Sequence, residues 1–273
     1  MPSFGNDWHC GPIISSYNNP FMRIFDIRKF RNVSSDEEYY INHLLKSFEN
    51  GKNHISKLPN EISNRNLLDG MSGLKTRHFY NNLSSMKDCN YLEIGTWAGS
   101  TLCSNLYGND INVTAIDSFE WGGMKIKSDF FNNIKKCKKI NDIINLNNKN
   151  YEINLENEKR LQVFDSDSFK VNINDLKFTY NLYLYDGDHS YEAHYNALMY
   201  YINKLADIFI FVVDDWNIPR VRDATYRSIK DLNLSILAEC EVIYTHDDTH
   251  TTHNNDYASN NFWNGLYAVV LKK

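Results

Sequence analysis

The sequence has no long apolar run, few prolines, no paired-cysteine motif and no excess of positive charge. No stretch approaches the roughly 18 consecutive apolar residues of a membrane-spanning helix, and the N-terminus lacks the basic and then apolar regions of a secretory signal. The five cysteines are scattered without a C-x-x-C pair, which favours reduced thiols in the cytoplasm over a disulfide framework. The net charge of −5 argues against a nucleic-acid partner.

The composition is that of a globular chain with a substantial core. The 273 residues are 42% hydrophobic and 14% aromatic, enough for one large or two small domains. From about residue 90 onward, short apolar runs alternate with helical patterns, which indicates parallel strand–helix–strand units. The last two runs, 234–244 and 265–271, have no crossover-helix pattern between them and predict antiparallel neighbours. We therefore expect an N-terminal arm and helical extension at 1–87 and the main α/β domain at 88–273.

The N-terminal region contains helix signals. Residues 1–32 predict only an extended arm. Ser35, with Glu38 three residues later, is typical of a capping box, and the helical spacing that follows is predicted to end at Gly51. Residues 70–78 predict a turn and a second short helix. Their charged side chains either line a ligand pocket or, as we favour, form a solvated surface.

A glycine-rich turn is the most informative segment of the chain. The run Tyr91-Leu92-Glu93-Ile94 leads into Gly95-Thr96-Trp97-Ala98-Gly99-Ser100, a strand–turn–helix pattern that presents bare backbone to a ligand. Glu93 stands where the dinucleotide-binding fingerprint has a neutral residue. An acid at that position would repel a phosphate, so the turn suits a cationic ligand.

Further predicted strands also end in polar side chains. Asp117 follows Gly95 by 117 − 95 = 22 positions, close to the offset of about 20 at which a carboxylate binds ribose hydroxyls. Asp165 and Ser166 end the next run, where an adenine would lie. For one acid alone a helix cap would be the better interpretation. Their shared position at strand ends favours a ligand site, because open α/β sheets bind ligands there.

A second group of acids follows the last two parallel strands. Asp186 begins an Asp-Gly-Asp-His string, and Asp214 and Asp215 follow the next apolar run. Because consecutive strands usually lie side by side, these carboxylates are expected to face one crevice. Three carboxylates without a basic partner repel one another, and a bound divalent cation removes the repulsion. Oxygen ligands favour Mg²⁺, Ca²⁺ or Mn²⁺ over zinc. Asp188 is expected to cap the following helix.

Taken together, these segments resemble the class I S-adenosylmethionine-dependent methyltransferases, and within them the metal-dependent small-molecule O-methyltransferases of the sugar and macrolide-sugar type. The resemblance spans about residues 88–273 and implies a Rossmann-like, doubly wound, seven-stranded, mostly parallel sheet with an antiparallel last strand. It implies Mg²⁺ (or Mn²⁺) ligands at Asp186, Asp214 and Asp215, and catalysis by Asp186 and by His189 as general base. The implied S-adenosylmethionine site comprises Glu93, Gly95, Thr96, Gly99, Ser100, Asp117, Ser118, Asp165 and Ser166.

The sequence therefore predicts a cytoplasmic, S-adenosylmethionine- and metal-dependent O-methyltransferase. Its acceptor would be a small molecule or sugar with adjacent hydroxyls, with no nucleic-acid or membrane partner, and a homo-oligomer is left open. Two alternatives remain: a metal-dependent hydrolase of the same fold, and a catalytically silent subunit that binds S-adenosylmethionine or a nucleotide. Glu93 and Asp117 argue against a hydrolase, which needs no nucleoside pocket. The intact acid–histidine set argues against a silent subunit.

Overall fold

The computed structural model describes residues 20–59, 68, 70–143, 161–246 and 260–273, with the backbone alone at 138–143. Within these residues one sheet contains the strands β1 (Phe21–Asp26), β2 (Asn90–Ile94), β3 (Asn112–Asp117), β4 (Leu161–Asp165), β5 (Tyr180–Tyr185), β6 (Leu205–Val213), β7 (Ser235–Ile243) and β8 (Leu266–Lys272). The α-helices described are α1 (Ser35–Lys52), α2 (Leu74–Leu83), α3 (Ser100–Leu106), α4 (Gly123–Ile143), α5 (Tyr191–Tyr201) and α6 (Pro219–Asp231).

The strand order is β1-β7-β8-β6-β5-β2-β3-β4, and every strand except β1 and β8 runs in the same direction. β8 pairs antiparallel with both β6 and β7, which confirms the prediction for the closing strands. From β2 the chain builds outward through β3 and β4 on one side, and from β5 through β6 on the other. This is the Rossmann-like, doubly wound α/β fold. Its order reverses between β2 and β5, where open sheets bind ligands.

Helices cover both faces of the sheet. α1 to α4 pack together on one face, and α5 and α6 pack on the other, each layer closing a separate apolar core. β5 and the second half of β6 are buried on both faces, as the apolar composition of a central parallel strand requires. None of the described helices combines the length and apolar character needed to cross a membrane.

The sheet has one strand more than the seven predicted, because part of the N-terminal arm joins it. β1 pairs antiparallel with β7, and Arg23 lies opposite Glu241 in this pair. The Arg23 guanidinium contacts Glu241 at 2.9 Å and Glu239 at 3.1 Å. An arginine facing two buried carboxylates therefore attaches β1 to the sheet edge. The domain boundary at residue 87 stays a prediction, although residues 21–26 share the sheet of the main domain.

The capping box of α1 lies one residue earlier than predicted. Ser34 is the N-cap and accepts a hydrogen bond from the backbone N–H of Glu37, whose carboxylate accepts from the backbone N–H of Ser34 at 2.9 Å. Glu37 also binds Lys272 of β8 at 3.1 Å, a residue far away in the sequence. This contact favours the buried Glu37 over the exposed Glu38 as the acid of the capping box.

Gly51 does not end α1, which continues to Lys52. A Cβ atom at Gly51 would lie 2.7 Å from the Phe79 Cβ atom on α2. The glycine is therefore a point of close contact between helices α1 and α2, a role that its position near a helix end conceals in the sequence.

Candidate active site

The predicted site residues come together at the carboxyl ends of β2, β3, β5 and β6, on both sides of the reversal in strand order. Gly95 joins the two groups. Its φ angle is +81°, and a Cβ atom there would lie 1.8 Å from the backbone oxygen of Asp186. Only glycine fits so close to another backbone. The glycine-rich loop after β2 and the first acid after β5 are thus in direct contact.

Gly99 begins the helix that follows this loop. It adopts φ +78° as the N-cap of α3, and a Cβ atom there would lie 2.7 Å from the ring of Phe130 on α4. Glycine adopts this left-handed backbone conformation at little cost in free energy, and other residues do not. Gly99 therefore lets the chain turn directly from the loop into α3, with its backbone packed against Phe130.

Glu93 lies fully buried at the end of β2, and hydroxyl groups cover its carboxylate. Its two oxygens accept hydrogen bonds from Thr101 at 2.6 Å and from Tyr91 at 2.5 Å. Burial raises the pKa of Glu93 to about 7, with a further contribution from the charge of Asp117, while the hydroxyls of Thr101, Tyr91 and Thr96 oppose the rise. With both oxygens bonded and none of its side chain exposed, Glu93 can act on a neighbouring ligand only through its charge.

Asp117, at the end of β3, holds the glycine-rich loop in place. Its two carboxylate oxygens accept hydrogen bonds from the backbone N–H groups of Trp97 at 2.7 Å and Phe119 at 2.6 Å. Trp97 adopts a positive φ of +43°, an unfavourable conformation for a tryptophan that this hydrogen bond helps to hold. The neighbouring Ser118 accepts a longer hydrogen bond, 3.4 Å, from the backbone N–H of Glu120.

Asp165 and Ser166 lie at the end of β4, the outermost strand on this side of the sheet. The Asp165 carboxylate pairs with Lys127 of α4, and its side chain is about half exposed. The backbone N–H of Ser166 donates to the carbonyl of Asp117 at 2.9 Å, and its hydroxyl donates to the carbonyl of Asp167. Both residues therefore lie at the carboxyl edge of the sheet, at its outer end.

Ser100 is nearly buried because the turn before α2 covers it. Its hydroxyl lies 3.1 Å from that of Ser72, which in turn accepts a hydrogen bond from Arg77. Arg77 also donates to the carbonyls of Leu68 and Gly70. The surface interpretation of the 70–78 segment is wrong for Arg77, which is fully buried, because its charge is satisfied by the carbonyls of the turn it holds. His78 is fully buried as well.

The second acid group forms one compact cluster at the ends of β5 and β6. Asp186, His189 and Asp215 each place a potential ligand atom so that these atoms lie within 4.8 Å of one another, a group able to hold a metal ion. Asp214 follows β6 directly, is almost fully buried, and is not a member of this group. Of the three predicted metal ligands, Asp186 and Asp215 therefore come together here with His189, whereas Asp214 is outside the group.

The charges in this cluster are poorly compensated. Burial, and then the charges of Asp214 and Asp215, raise the pKa of Asp186 well above its usual range. Burial and the charge of Asp215 raise the pKa of Asp214 to about 7. Asp215 is half-buried, with 13% of its side chain exposed, but its hydrogen bond with His189 and the positive charge of that ring outweigh burial and lower its pKa. Carboxylates crowded in this way form a site that a divalent cation fits.

His189 is the basic group of the cluster and is partly open to solvent. Its Nε2 lies 2.7 Å from the Asp215 carboxylate, and its side chain is 43% exposed. Partial burial opposes the charged ring, but the hydrogen bond to Asp215 and the charges of Asp215, Asp214 and Asp188 outweigh it and raise the pKa of His189. An imidazole oriented by a carboxylate at the mouth of a crevice has the geometry of a general base.

The cap of the helix after His189 differs from the prediction. Ser190, not Asp188, is the N-cap of α5 and accepts from the backbone N–H of Ala193. Asp188 accepts from the backbone N–H of Ser190 at 2.6 Å, so it forms the turn before the helix. A serine nearer the helix satisfies its first free N–H groups more directly.

Two asparagines that the sequence did not single out hold Asp215 in place. Asp215 has a positive φ of +53°, and its carboxylate accepts a hydrogen bond from the Asn264 amide. The Asn264 side-chain oxygen accepts from Asn217 at 2.8 Å, and Asn217 in turn accepts from the backbone N–H of Tyr244 at the end of β7. The only signal in the sequence is an Asn-Gly pair before the last strand.

The fold is similar to those of solved methyltransferases at low sequence identity. No protein-family model and no curated protein sequence matches the chain. An O-methyltransferase from Bacillus cereus, solved with S-adenosylhomocysteine (SAH), is 14% identical, with a TM-score of 0.48 over 90% of this chain and 95% of that one. An SAH-bound methyltransferase from Podospora anserina is 10% identical, with a TM-score of 0.46 over 90% of this chain and 92% of that one.

A ribosomal protein L11 methylase from Lactobacillus delbrueckii subsp. bulgaricus is 10% identical, with a TM-score of 0.41 over 73% of this chain and 77% of that one. All three TM-scores lie below 0.5, so the strand order and the site geometry carry the argument for this chain. The chain is similar to these methyltransferases, and it has the doubly wound fold that its own sheet defines.

Proposed function

We propose that this protein is an S-adenosylmethionine- and divalent-metal-dependent O-methyltransferase acting on a hydroxyl of a small molecule or sugar. The contact between Gly95 and Asp186 carries the proposal. At this contact the glycine-rich loop, which suits a cationic nucleoside, lies against the acid cluster, which suits a metal ion. A methyl donor and a metal-bound acceptor would therefore meet where the strand order reverses. The resemblance of the motifs supports the same assignment.

The cofactor assignment rests on charge and backbone geometry. The donor carries a sulfonium and a ribose. Asp117 lies at the end of β3, and Glu93, buried at the end of β2, contributes its charge. The buried Glu93 favours a cationic ligand over a phosphate. Thr96, Gly99 and Ser100, at the turn into α3, would supply close backbone contacts.

The catalytic assignment rests on the acid–histidine cluster. A Mg²⁺ or Mn²⁺ ion held by Asp186, Asp214 and Asp215 would lower the pKa of an acceptor hydroxyl. His189, oriented by Asp215, would take the proton from that hydroxyl. The resulting oxygen would attack the sulfonium methyl in line, which breaks the sulfur–methyl bond and releases SAH. Holding the two substrates in a near-attack arrangement would supply much of the acceleration. An acceptor with adjacent hydroxyls fits best, because both oxygens can reach one ion.

The cofactor assignment predicts that SAH raises the melting temperature, because a ligand that binds only the native state stabilises it by mass action. Asp117→Asn should reduce that rise, because an amide has one acceptor oxygen and cannot accept from both Trp97 of the glycine-rich loop and Phe119 after β3. Asp129→Asn, on the outer part of α4, is the matched control. Differential scanning fluorimetry with SAH, NAD and ATP measures the shifts. A rise with NAD and none with SAH would contradict the assignment.

The metal assignment predicts that a chelator abolishes methyl transfer and that added Mg²⁺ or Mn²⁺ restores it. Asp214→Asn and Asp215→Asn should lower metal-dependent turnover much more than SAH binding, because both side chains lie at the end of β6. Transfer of a radiolabelled methyl group to diol and single-hydroxyl acceptors is the assay. Full activity in chelator would refute the metal role. Release of a hydrolysis product without the methyl donor would favour the hydrolase, and SAH binding without any turnover would favour the silent subunit.

A further inference from the structure

A chain of hydrogen bonds runs from the end of β7 to His189 through three side chains. The backbone N–H of Tyr244 donates to the Asn217 side-chain oxygen at 2.8 Å, and the Asn217 amide donates to the Asn264 side-chain oxygen, also at 2.8 Å. The Asn264 amide donates to Oδ1 of Asp215, and the other oxygen, Oδ2, lies 2.7 Å from Nε2 of His189. The chain of bonds therefore joins the closing strands of the sheet to the proposed base.

The direction of this chain of bonds is fixed at both ends. A backbone N–H can only donate, so the Asn217 atom that faces Tyr244 is its oxygen, and its NH₂ group faces Asn264. The oxygen of Asn264 is then the acceptor, and its NH₂ group is the donor to Asp215. An ionised carboxylate can only accept, so Asp215 receives a hydrogen bond at each of its oxygens.

This direction determines which nitrogen of the His189 ring carries the proton. Because Asp215 accepts, the Nε2 atom at 2.7 Å must donate and therefore holds a hydrogen. A neutral imidazole has one N–H group, so its lone pair is then on Nδ1. The side chain of His189 is 43% exposed, so the ring is open to a ligand as well as bonded to Asp215. The nitrogen that can take up a proton is thus Nδ1.

The turn that carries Asn264 is shaped to fit this chain of bonds. Asn264 is 4% exposed, and its backbone carbonyl accepts a second hydrogen bond from Asn217, from the backbone N–H at 3.2 Å. Gly265 follows with a φ of +90°, and a Cβ atom there would lie 2.9 Å from the Asn217 side-chain oxygen. A side chain at position 265 would displace that oxygen. The Asn-Gly pair before β8 therefore fixes both asparagines against each other.

We propose that Asn264 is a positioning residue that holds Asp215 so that His189 takes the acceptor proton at Nδ1. This role rests on the proposed function and names the atom that performs its base step. The hydroxyl proton passes to Nδ1, and the acceptor oxygen forms a bond to the methyl carbon. The sulfur–methyl bond breaks with its electron pair on sulfur, and SAH is released. The turn before β8 thereby takes part in catalysis through two side chains, without itself touching the substrates.

The first test determines which ring nitrogen of His189 is protonated in the wild type. Nitrogen NMR of the histidine side chains distinguishes the two neutral tautomers, and His189→Gln identifies the signal of this ring. The spectrum is recorded without metal, at a pH at which the ring is neutral. We expect the proton on Nε2. A proton on Nδ1 of the neutral ring would overturn the inference, and this result does not depend on the folding of any variant at position 264.

The second test compares Asn264→Ala with Asn181→Ala. Asn181, at the start of β5 and thus at the opposite edge of the sheet, also accepts from one group and donates to another: from the backbone N–H of Asn90 at 2.9 Å and to the carbonyl of Asp88 at 3.1 Å. Both variants lose hydrogen bonds and should melt at a lower temperature than the wild type. Only Asn264→Ala should lower kcat, by about 10–100-fold, with the KM for the methyl donor unchanged.

The outcomes separate this inference from the proposed function. If the wild type transfers no methyl group, the proposed function is wrong, and the base step falls with it. If the wild type is active and Asn264→Ala keeps its kcat, only the role of Asn264 is overturned. An equal loss of kcat in Asn181→Ala would mean that lowered stability explains both variants, and it would also overturn that role. A proton on Nε2 in the wild type, with a loss of kcat in Asn264→Ala alone, supports it.

Discussion

Replacing His189 by alanine is expected to lower kcat by about 10²–10⁴-fold, the usual contribution of a general base. A hydroxyl is a poor nucleophile until its proton leaves. His189 is the only basic side chain in the metal-ligand group found among the described residues. Its Nε2 is held 2.7 Å from Asp215 at the partly open mouth of the crevice. Methyl transfer to a diol acceptor under saturating cofactor and metal is the measurement.

His189→Gln separates base catalysis from simple support of Asp215. Glutamine can still donate a hydrogen bond to Asp215 but cannot accept a proton at neutral pH, so it should be about as inactive as alanine. SAH binding should persist in both variants. His43→Gln is the matched control, since its ring contacts the Leu83 carbonyl on the far side of α2. Near-normal turnover by His189→Gln would contradict the general-base role.

Arg23→Ala is expected to destabilise the protein by about 3–5 kcal/mol, because it leaves buried carboxylates without their partner. Arg23 contacts Glu239 and Glu241, which are 5% and 6% exposed at their side chains. Glu239 also accepts from Tyr267, and Glu241 accepts from Trp216, the residue after Asp215. The loss should therefore reach the active site as well as the sheet edge. Urea unfolding at neutral pH measures the change in free energy.

The effect of Arg23→Ala has a defined dependence on pH. Burial already raises the pKa of Glu239, while Arg23 lowers it. Without Arg23 the pKa of Glu239 in the folded protein rises further above its value in the unfolded chain. The loss of stability caused by Arg23→Ala therefore grows as the pH rises above the unfolded-state pKa and shrinks as the pH falls. Arg28→Ala, which breaks the more exposed pair with Asp26, should cost about 0–1 kcal/mol. An equally small effect of Arg23→Ala at neutral pH would show that β1 is held by backbone pairing alone.

The order of the elements and the edge of the sheet that carries the site were predictable from local patterns. Alternating apolar runs and helical spacing predict a parallel sheet, and polar residues after each run mark its carboxyl edge. This is why Asp117, Asp186 and Asp214 lie where the sequence predicts them, each following directly on a strand or ending it. The periodicity of a strand and the position of its end are properties of a few neighbouring residues.

The contacts that hold those residues were not predictable, because their partners are far apart in the chain. Asp215 depends on Asn264, which is 49 positions away. Ser100 is covered through Ser72, 28 positions earlier. Neither partner lies in a motif, and a single asparagine or serine fits a surface loop equally well.

The sequence by itself determined the fold class, the glycine-rich turn and the presence of a cluster of acids. Each of these depends on the periodicity of neighbouring residues and on residue types that are rarely needed elsewhere in a fold. Only the tertiary structure decided that residues 21–26 form an eighth strand, that Arg77 is buried, and that His189 pairs with Asp215. Burial and charge pairing depend on which surfaces meet in space. That meeting is set by the packing of the whole sheet and its helices, and no local pattern specifies it.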